Sequence, residues 1–430
     1  MDAYRAYTKH VNPGLGGLLE LTGRDIKLVS GKGGVLEDDQ GRRYDDWVSG
    51  FGSLNLGHNP DPVKAALRKH LDSDAPNLYV ENLNPAAGEL AERLLAAAGP
   101  SFGTVFFSNS GSEGVEAAIK TAIAATGRPR ILYADGAYHG TTLGALSCMA
   151  KGPYRQDFER VLAPFQEIPF GDAAALEQEL QRGDVAAFLV EPIQVESGVR
   201  IATTGYLREA RELCRRHGAL LMFDEVQTGM GRTGTLFAWQ GVNVVPDVFV
   251  LAKSLGGGLM PIGATLIGGE LWKKAFGSYR RAELHNSTFG GNALACRAAL
   301  ATLDVIADPK FLAGVRERAE QLFGDLTQAL SGCALVEGLT WKGLLGGIRL
   351  NEGTHPWLQS ENLGLKELEG APVAGLLLVE RLARRQILVQ LCGHDWSVVR
   401  VEPPLTVDAD ACSRFAGAVG EAARWLEKNA

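Results

Sequence analysis

Residues Asp247 to Gly269 read DVFVLAKSLGGGLMPIGATLIGG, two β-branched apolar runs on either side of a glycine turn. They predict a strand, a loop and a returning strand. The first run, Val248 to Ala252, is apolar at every position, the pattern of a strand covered on both faces, and it ends on Lys253. Burial disfavours the ammonium form, so a lysine at the edge of a core becomes a usable amine nucleophile near neutral pH. Taken alone, a strand-end lysine reads first as one whose stem is covered and whose ammonium reaches water. Upstream, the apolar run from Ala219 ends in the same way, but in an acid, Asp224. Ligands of open α/β sheets sit beyond the carboxyl ends of the strands, so Asp224 and Lys253 can face one site.

An acid that keeps a ring nitrogen protonated, together with a lysine that forms an imine, is the pair pyridoxal 5′-phosphate requires. Asp224-Glu225-Val226-Gln227-Thr228-Gly229, followed by Gly231-Arg232-Thr233-Gly234 and Leu251-Ala252-Lys253, resembles the signature of the class III aminotransferases, pyridoxal-phosphate enzymes of fold type I. The resemblance runs from about residue 15 to the end of the chain and is closest to the putrescine and acetylornithine/ornithine branch. It implies an α/β fold with a large cofactor domain, built on a mostly parallel seven-stranded sheet, and a smaller α+β domain. In this sequence 59–308 would be the large domain, 309–430 the C-terminal small domain, and 1–58 a segment contributing to the small domain and the active-site entrance.

From about residue 100, strand and helix patterns alternate, as a mostly parallel sheet covered on both faces requires. Thr104 to Phe107 reads as a strand, and the following Ser108 to Glu113 turns into a helix with Val115, Ala118, Ile119, Ala122 and Ile123 on one stripe. Its N-terminus is suited to an anion, although helix capping alone explains the same residues. The resemblance assigns the cofactor phosphate to Ser110, Gly111 and Ser112. Ile131 to Ala134 leads to Tyr138 and His139; by resemblance Tyr138 stacks on the ring and His139 shapes the pocket, whereas a lone histidine otherwise reads as structural. Val185 to Val190 ends in EPIQVESG, which carries Glu191 and Glu196. Two such carboxylates suit acid/base work, and without a neighbouring His or Cys they do not read as a metal site. The resemblance sets Glu191 against the cofactor and gives Glu196 the place of the gating carboxylate of the ω-aminotransferases. Val195 stands where those relatives usually have glycine.

It further implies that Asp224 holds the pyridinium nitrogen protonated, that Val226 lies beneath the ring, and that Gln227 hydrogen-bonds the phenolic oxygen. Lys253 would form the imine and then shuttle the proton as general acid and base. The segment His285 to Asn292, HNSTFGGN, resembles the family's T-F-G-G-N element and departs from it at Asn286 and Ser287. It implies an obligate homodimer in which Thr288 reaches the neighbouring subunit's cofactor. Phe51 is expected near the substrate side chain, with a core aromatic as the alternative. Arg400 stands where the family keeps an arginine for the substrate carboxylate, a group its fork binds bidentately. A switch is expected in which Glu196 covers Arg400 for an amine and uncovers it for 2-oxoglutarate or pyruvate; the plain alternative is a structural salt bridge. Asn351 to Gly370 has a composition of its own.

At 46% hydrophobic and 22% charged, the 430 residues have the composition of an ordinary globular protein. A formal charge of −7 argues against a nucleic-acid or anionic-membrane surface. No apolar run approaches a membrane span and the first twenty residues hold no leader-like core, so a cytoplasmic location is expected. The six cysteines form no C-x-x-C pair, which predicts reduced core residues and no zinc site. The leading functional expectation is a ping-pong ω-aminotransferase acting between an oxo acid and a terminal amine: a diamine such as putrescine, an ornithine-like amine, or an aliphatic amine or aldehyde. An aminomutase or racemase of the same fold would need no keto-acid acceptor. A dinucleotide-binding or non-catalytic α/β protein would not need Asp224, Gln227, Lys253 and Thr288 together, and Gly256-Gly257-Gly258 lacks the dinucleotide spacing.

Overall fold

The structure is a computed structural model that describes residues 3–21, 24–351 and 372–429. Apart from Asn351, the segment of distinct composition lies outside the described residues. Seven strands form the central sheet: β1 Thr104–Ser108, β2 Arg130–Ala134, β3 Gln166–Ile168, β4 Val185–Val190, β5 Leu220–Asp224, β6 Val248–Leu251 and β7 Gly263–Ile267. They lie in the order β1-β7-β6-β5-β4-β2-β3. β7 is antiparallel to its two neighbours, and the other pairs are parallel. The strand, loop and returning strand of residues 247–269 are therefore β6, a short 3-10 turn Lys253–Gly256, and β7.

Every residue of β4, β5 and β6 is buried. Side chains alternate between faces along a strand, so Phe223 and Phe249 enter one apolar layer with Leu90 and Phe188 while Met222 and Val250 enter the other with Val115 and Ile119. Two covered faces explain why these runs carry no polar alternation. Helix α1, Gly111–Thr126, supplies the second layer through the predicted stripe.

A separate apolar cluster joins the C-terminal helices and sheet with Trp47 from the N-terminal segment. There Leu28–Lys32, Val35–Asp38 and Arg43–Asp46 form an antiparallel set, to which Ile387–Leu388 adds in parallel. A second small sheet holds Val336–Trp341, Gly346–Leu350, Gln390–Leu391 and β8, Val398–Val401. In sequence the run Ala334 to Glu337 reads as a strand, whereas the observed strand begins at Val336, whose N–H is taken by a turn to the Cys333 carbonyl. Trp47 stacks on Phe415 with ring centroids 3.7 Å apart, tying the N-terminal segment to the closing helix Ala409–Asn429. Trp47→Ala is expected to cost about 3–5 kcal/mol, read as a lower denaturation midpoint at unchanged slope. The six cysteines are free and buried. Among the described residues, no helix is long and apolar enough to cross a membrane.

Candidate active site

The carboxyl ends of β1, β2, β4, β5 and β6 open on a cavity of about 170 Å³. It gathers every cofactor contact expected from the sequence except Thr288, and Glu196 with them. A larger surface cleft of about 840 Å³, around Arg211 and Asp247 at the other edge of the sheet, contains none of these residues. The location beyond the carboxyl ends follows from parallel topology, which sends the loops after the strands to one side.

Asp224 ends β5 with both carboxylate oxygens engaged. Oδ1 accepts the Val226 N–H at 2.9 Å, and Oδ2 lies 2.8 Å from His139 Nδ1. His139 thus orients the acid, while its Nε2 is buried without a partner. Next to them, Glu191 Oε1 accepts the Tyr138 N–H at 2.9 Å. Burial and the neighbouring Asp224 push the Glu191 carboxyl well above the usual carboxylate range. Ser110 caps α1 by accepting the Glu113 N–H at 3.2 Å, leaving Gly111 and Ser112 in the first turn at the cavity wall. Gly140 adopts a φ of 115° and packs so closely that a Cβ there would lie 1.9 Å from Ser112 Oγ. A side chain at 140 would force this cradle apart.

Lys253 follows β6 with a φ of 45°, a strained value for a non-glycine residue and of the kind that concentrates at functional sites. Its Nζ donates to Gln227 Oε1. Burial draws its amine below the ordinary lysine range, against the opposing charges of Glu402 and Glu196. Glu196 accepts from Arg400 Nη1 at 2.6 Å and from the Gly393 N–H at 2.7 Å. Burial alone would raise the Glu196 carboxyl, but the Arg400 guanidinium leads the groups that hold it below its usual value. Arg400 is itself buried, with Nε and Nη2 unpartnered. Val195, the departure beside Glu196, is buried with Val199, Leu345 and Val398, so it anchors the loop to the small sheet.

Three expected residues are not in the cavity lining: Arg400, which lies behind Glu196, and Phe51 and Thr288. Phe51 is half-exposed, its ring 5.2 Å from the Arg400 guanidinium carbon, and its φ of 57° is again strained. It therefore sits outside the core, beside the group expected to bind a carboxylate. Thr288 is exposed and lines a separate cleft of about 410 Å³ with Tyr79 and Asn82. Among the buried charges to which sequence reasoning gave no role are Arg232 and Glu402. Glu402 lies two residues beyond Arg400 along an extended segment, and that period-two spacing was the available signal.

Pyridoxal phosphate fits this set: an oriented acid and a partly buried lysine at the carboxyl ends of adjacent strands, a helix N-terminus in the cavity wall, and a backbone cradle with no room for a side chain. The family profile described as Aminotransferase class-III matches residues 22–422. The aminotransferase PigE of Serratia sp. (strain ATCC 39006) is 36% identical over 97% of this chain, which spans 52% of that protein's length. The ornithine aminotransferase of Toxoplasma gondii ME49 superimposes with a TM-score of 0.87 at 27% identity, covering 100% of this chain and 96% of that one. A second structure of the Toxoplasma gondii enzyme has pyridoxal phosphate at partial occupancy in its active site. The acetylornithine aminotransferase of Elizabethkingia anophelis gives a TM-score of 0.79 at 27% identity, over 98% of both chains. The chain belongs to the class III aminotransferases, a pyridoxal-phosphate-dependent family of fold type I.

Proposed function

We propose that this chain is an ω-aminotransferase that moves an amino group between a terminal amine and an oxo acid such as 2-oxoglutarate or pyruvate. The amine class is a diamine such as putrescine, an ornithine-like amine, or an aliphatic amine formed from its aldehyde. Bound in the cavity, pyridoxal phosphate supplies the electron sink for charge developing on the substrate carbon. Ser110, Gly111 and Ser112 hold its phosphate at the N-terminus of α1. Asp224, oriented by His139, would keep the ring nitrogen protonated; Tyr138 and Val226 would pack against the ring, Gln227 would hydrogen-bond the phenolic oxygen and Glu191 would lie alongside. Lys253 Nζ anchors the ring, then takes the proton from the substrate carbon and returns it. Thr288 would complete the phosphate site of a second copy in a homodimer. The proposed division is a large domain of 59–308 and a small lobe of 309–430 joined by 1–58. Six buried free cysteines support a reducing, cytoplasmic setting.

The observation that carries this reading is the 2.6 Å pair between Glu196 and buried Arg400 beside Lys253. Paired, Arg400 presents little charge to a cationic amine. Glu196 retains some exposure at the cavity and can leave, which frees the guanidinium for an oxo-acid carboxylate. Arg400→Ala is expected to weaken oxo-acid binding by about 100-fold in the second half-reaction, while the amine half-reaction changes by less than about tenfold. Rapid-mixing measurements of the two half-reactions separate these effects. Equal loss in both would refute the switch.

A further inference from the structure

Glu402 has no task in the reaction just described. Its side chain is completely buried, and a carboxylate in that position survives only with good partners. Yet Arg400 Nε is 3.8 Å away and Arg232 Nε 4.0 Å away, both beyond hydrogen-bond reach, and both nitrogens are unpartnered. The contact that is made is with Gln227, whose Nε2 lies 3.1 Å and 3.0 Å from the two carboxylate oxygens. Room for it comes from Gly52, where a Cβ would sit 2.4 Å from Glu402 Oε1.

This arrangement decides which way the Gln227 amide points. In the opposite orientation its carbonyl would face a carboxylate and its NH2 group an ammonium, both repulsive. With the observed orientation the carbonyl meets Lys253 Nζ. The two oxygens of one carboxylate subtend too small an angle to receive both N–H groups of an amide, so one N–H serves both and the other remains free.

We propose that Glu402 is a positioning residue: it locks the Gln227 amide with its carbonyl toward Lys253 and one N–H free for the cofactor's phenolic oxygen. Its negative charge also favours a proton on the Lys253 nitrogen. This rests on the pyridoxal-phosphate reading of the site. Asp224, Glu196 and Arg400 also face Lys253, and all three stay unchanged in the test.

The test uses the holoenzyme and Glu402→Gln, which preserves size and removes both the charge and the preference for one amide orientation. Two readouts require bound cofactor but no turnover: the pH titration of its visible absorbance, and its rate of release on dilution. Loss of a nearby negative charge lowers the midpoint, by about one pH unit, and release becomes about tenfold faster. Glu402→Asp, which retains the charge but not the reach, keeps a midpoint near wild type and releases cofactor at an intermediate rate. In a Gln227→Leu background, Glu402→Gln adds no further acceleration of release, because the positioned group is gone.

Wild-type titration and release in Glu402→Gln, with only a lower melting temperature, would overturn the proposal and leave Glu402 as a structural charge. If Glu402→Gln does not fold, Glu402→Asp decides, and wild-type release in that variant overturns it. A wild-type protein that holds the cofactor but transfers no amino group would sink the aminotransferase reading alone. A wild-type protein that takes up no pyridoxal phosphate would sink both.

Discussion

Replacing Lys253 by alanine is expected to slow the amine half-reaction by about 10⁴-fold, measured in a single turnover of cofactor-loaded protein. The size of the loss follows from the neighbours, because the three carboxylates that line the cavity are already committed. Asp224 is held by His139 and the Val226 N–H. Burial pushes Glu191 toward its neutral form, and Glu196 is tied to Arg400. None is an available base. Burial also draws the Lys253 amine below the ordinary lysine range, so the limb of the pH profile that requires the free amine appears below the usual lysine value of about 10.4. A small exogenous amine should restore part of the Lys253→Ala rate, since the cavity vacated by the side chain admits one. A loss smaller than about tenfold would mean that another group moves the proton.

Asp224→Ala is expected to lower kcat by about 10²–10³-fold, with cofactor still bound. In the proposed reaction the carboxylate would hold a proton on the ring nitrogen, and that charge would matter most as the substrate carbon becomes electron-rich. Asp224→Glu should rescue little. One added methylene cannot keep both the 2.8 Å contact to His139 and the 2.9 Å contact to the Val226 N–H. The check is kcat together with cofactor content. A variant within about threefold of wild type and fully loaded would show that the ring nitrogen is protonated by other means.

Much of this site was legible because parallel sheets write themselves plainly. The runs ending in Glu191, Asp224 and Lys253 are apolar at successive positions because both faces of the sheet are covered, and their polar ends then mark the ligand edge. The helix after Ser110 was legible from its stripe and its cap. Glu402 was not, because a glutamate before two prolines reads as surface loop until the register of β8 shows that it follows Arg400 into the core. The engagement of His139 with Asp224 spans 85 positions of sequence and depends on two strand ends being neighbours of the cavity. Strand starts were the least legible feature. At Val336 a local turn takes the N–H that a ladder would otherwise use.

The central claim is that one cavity, with Lys253 and the Glu196–Arg400 pair, handles a terminal amine and an oxo acid in alternation. It is tested most directly by mixing cofactor-loaded protein with single amines in the absence of any acceptor and following the visible absorbance. Putrescine, cadaverine, ornithine or a longer aliphatic amine is predicted to bleach it once, stoichiometrically, and 2-oxoglutarate or pyruvate to restore it. Continued consumption of the amine with no acceptor, or bleaching by α-amino acids and by no terminal amine, would contradict the account.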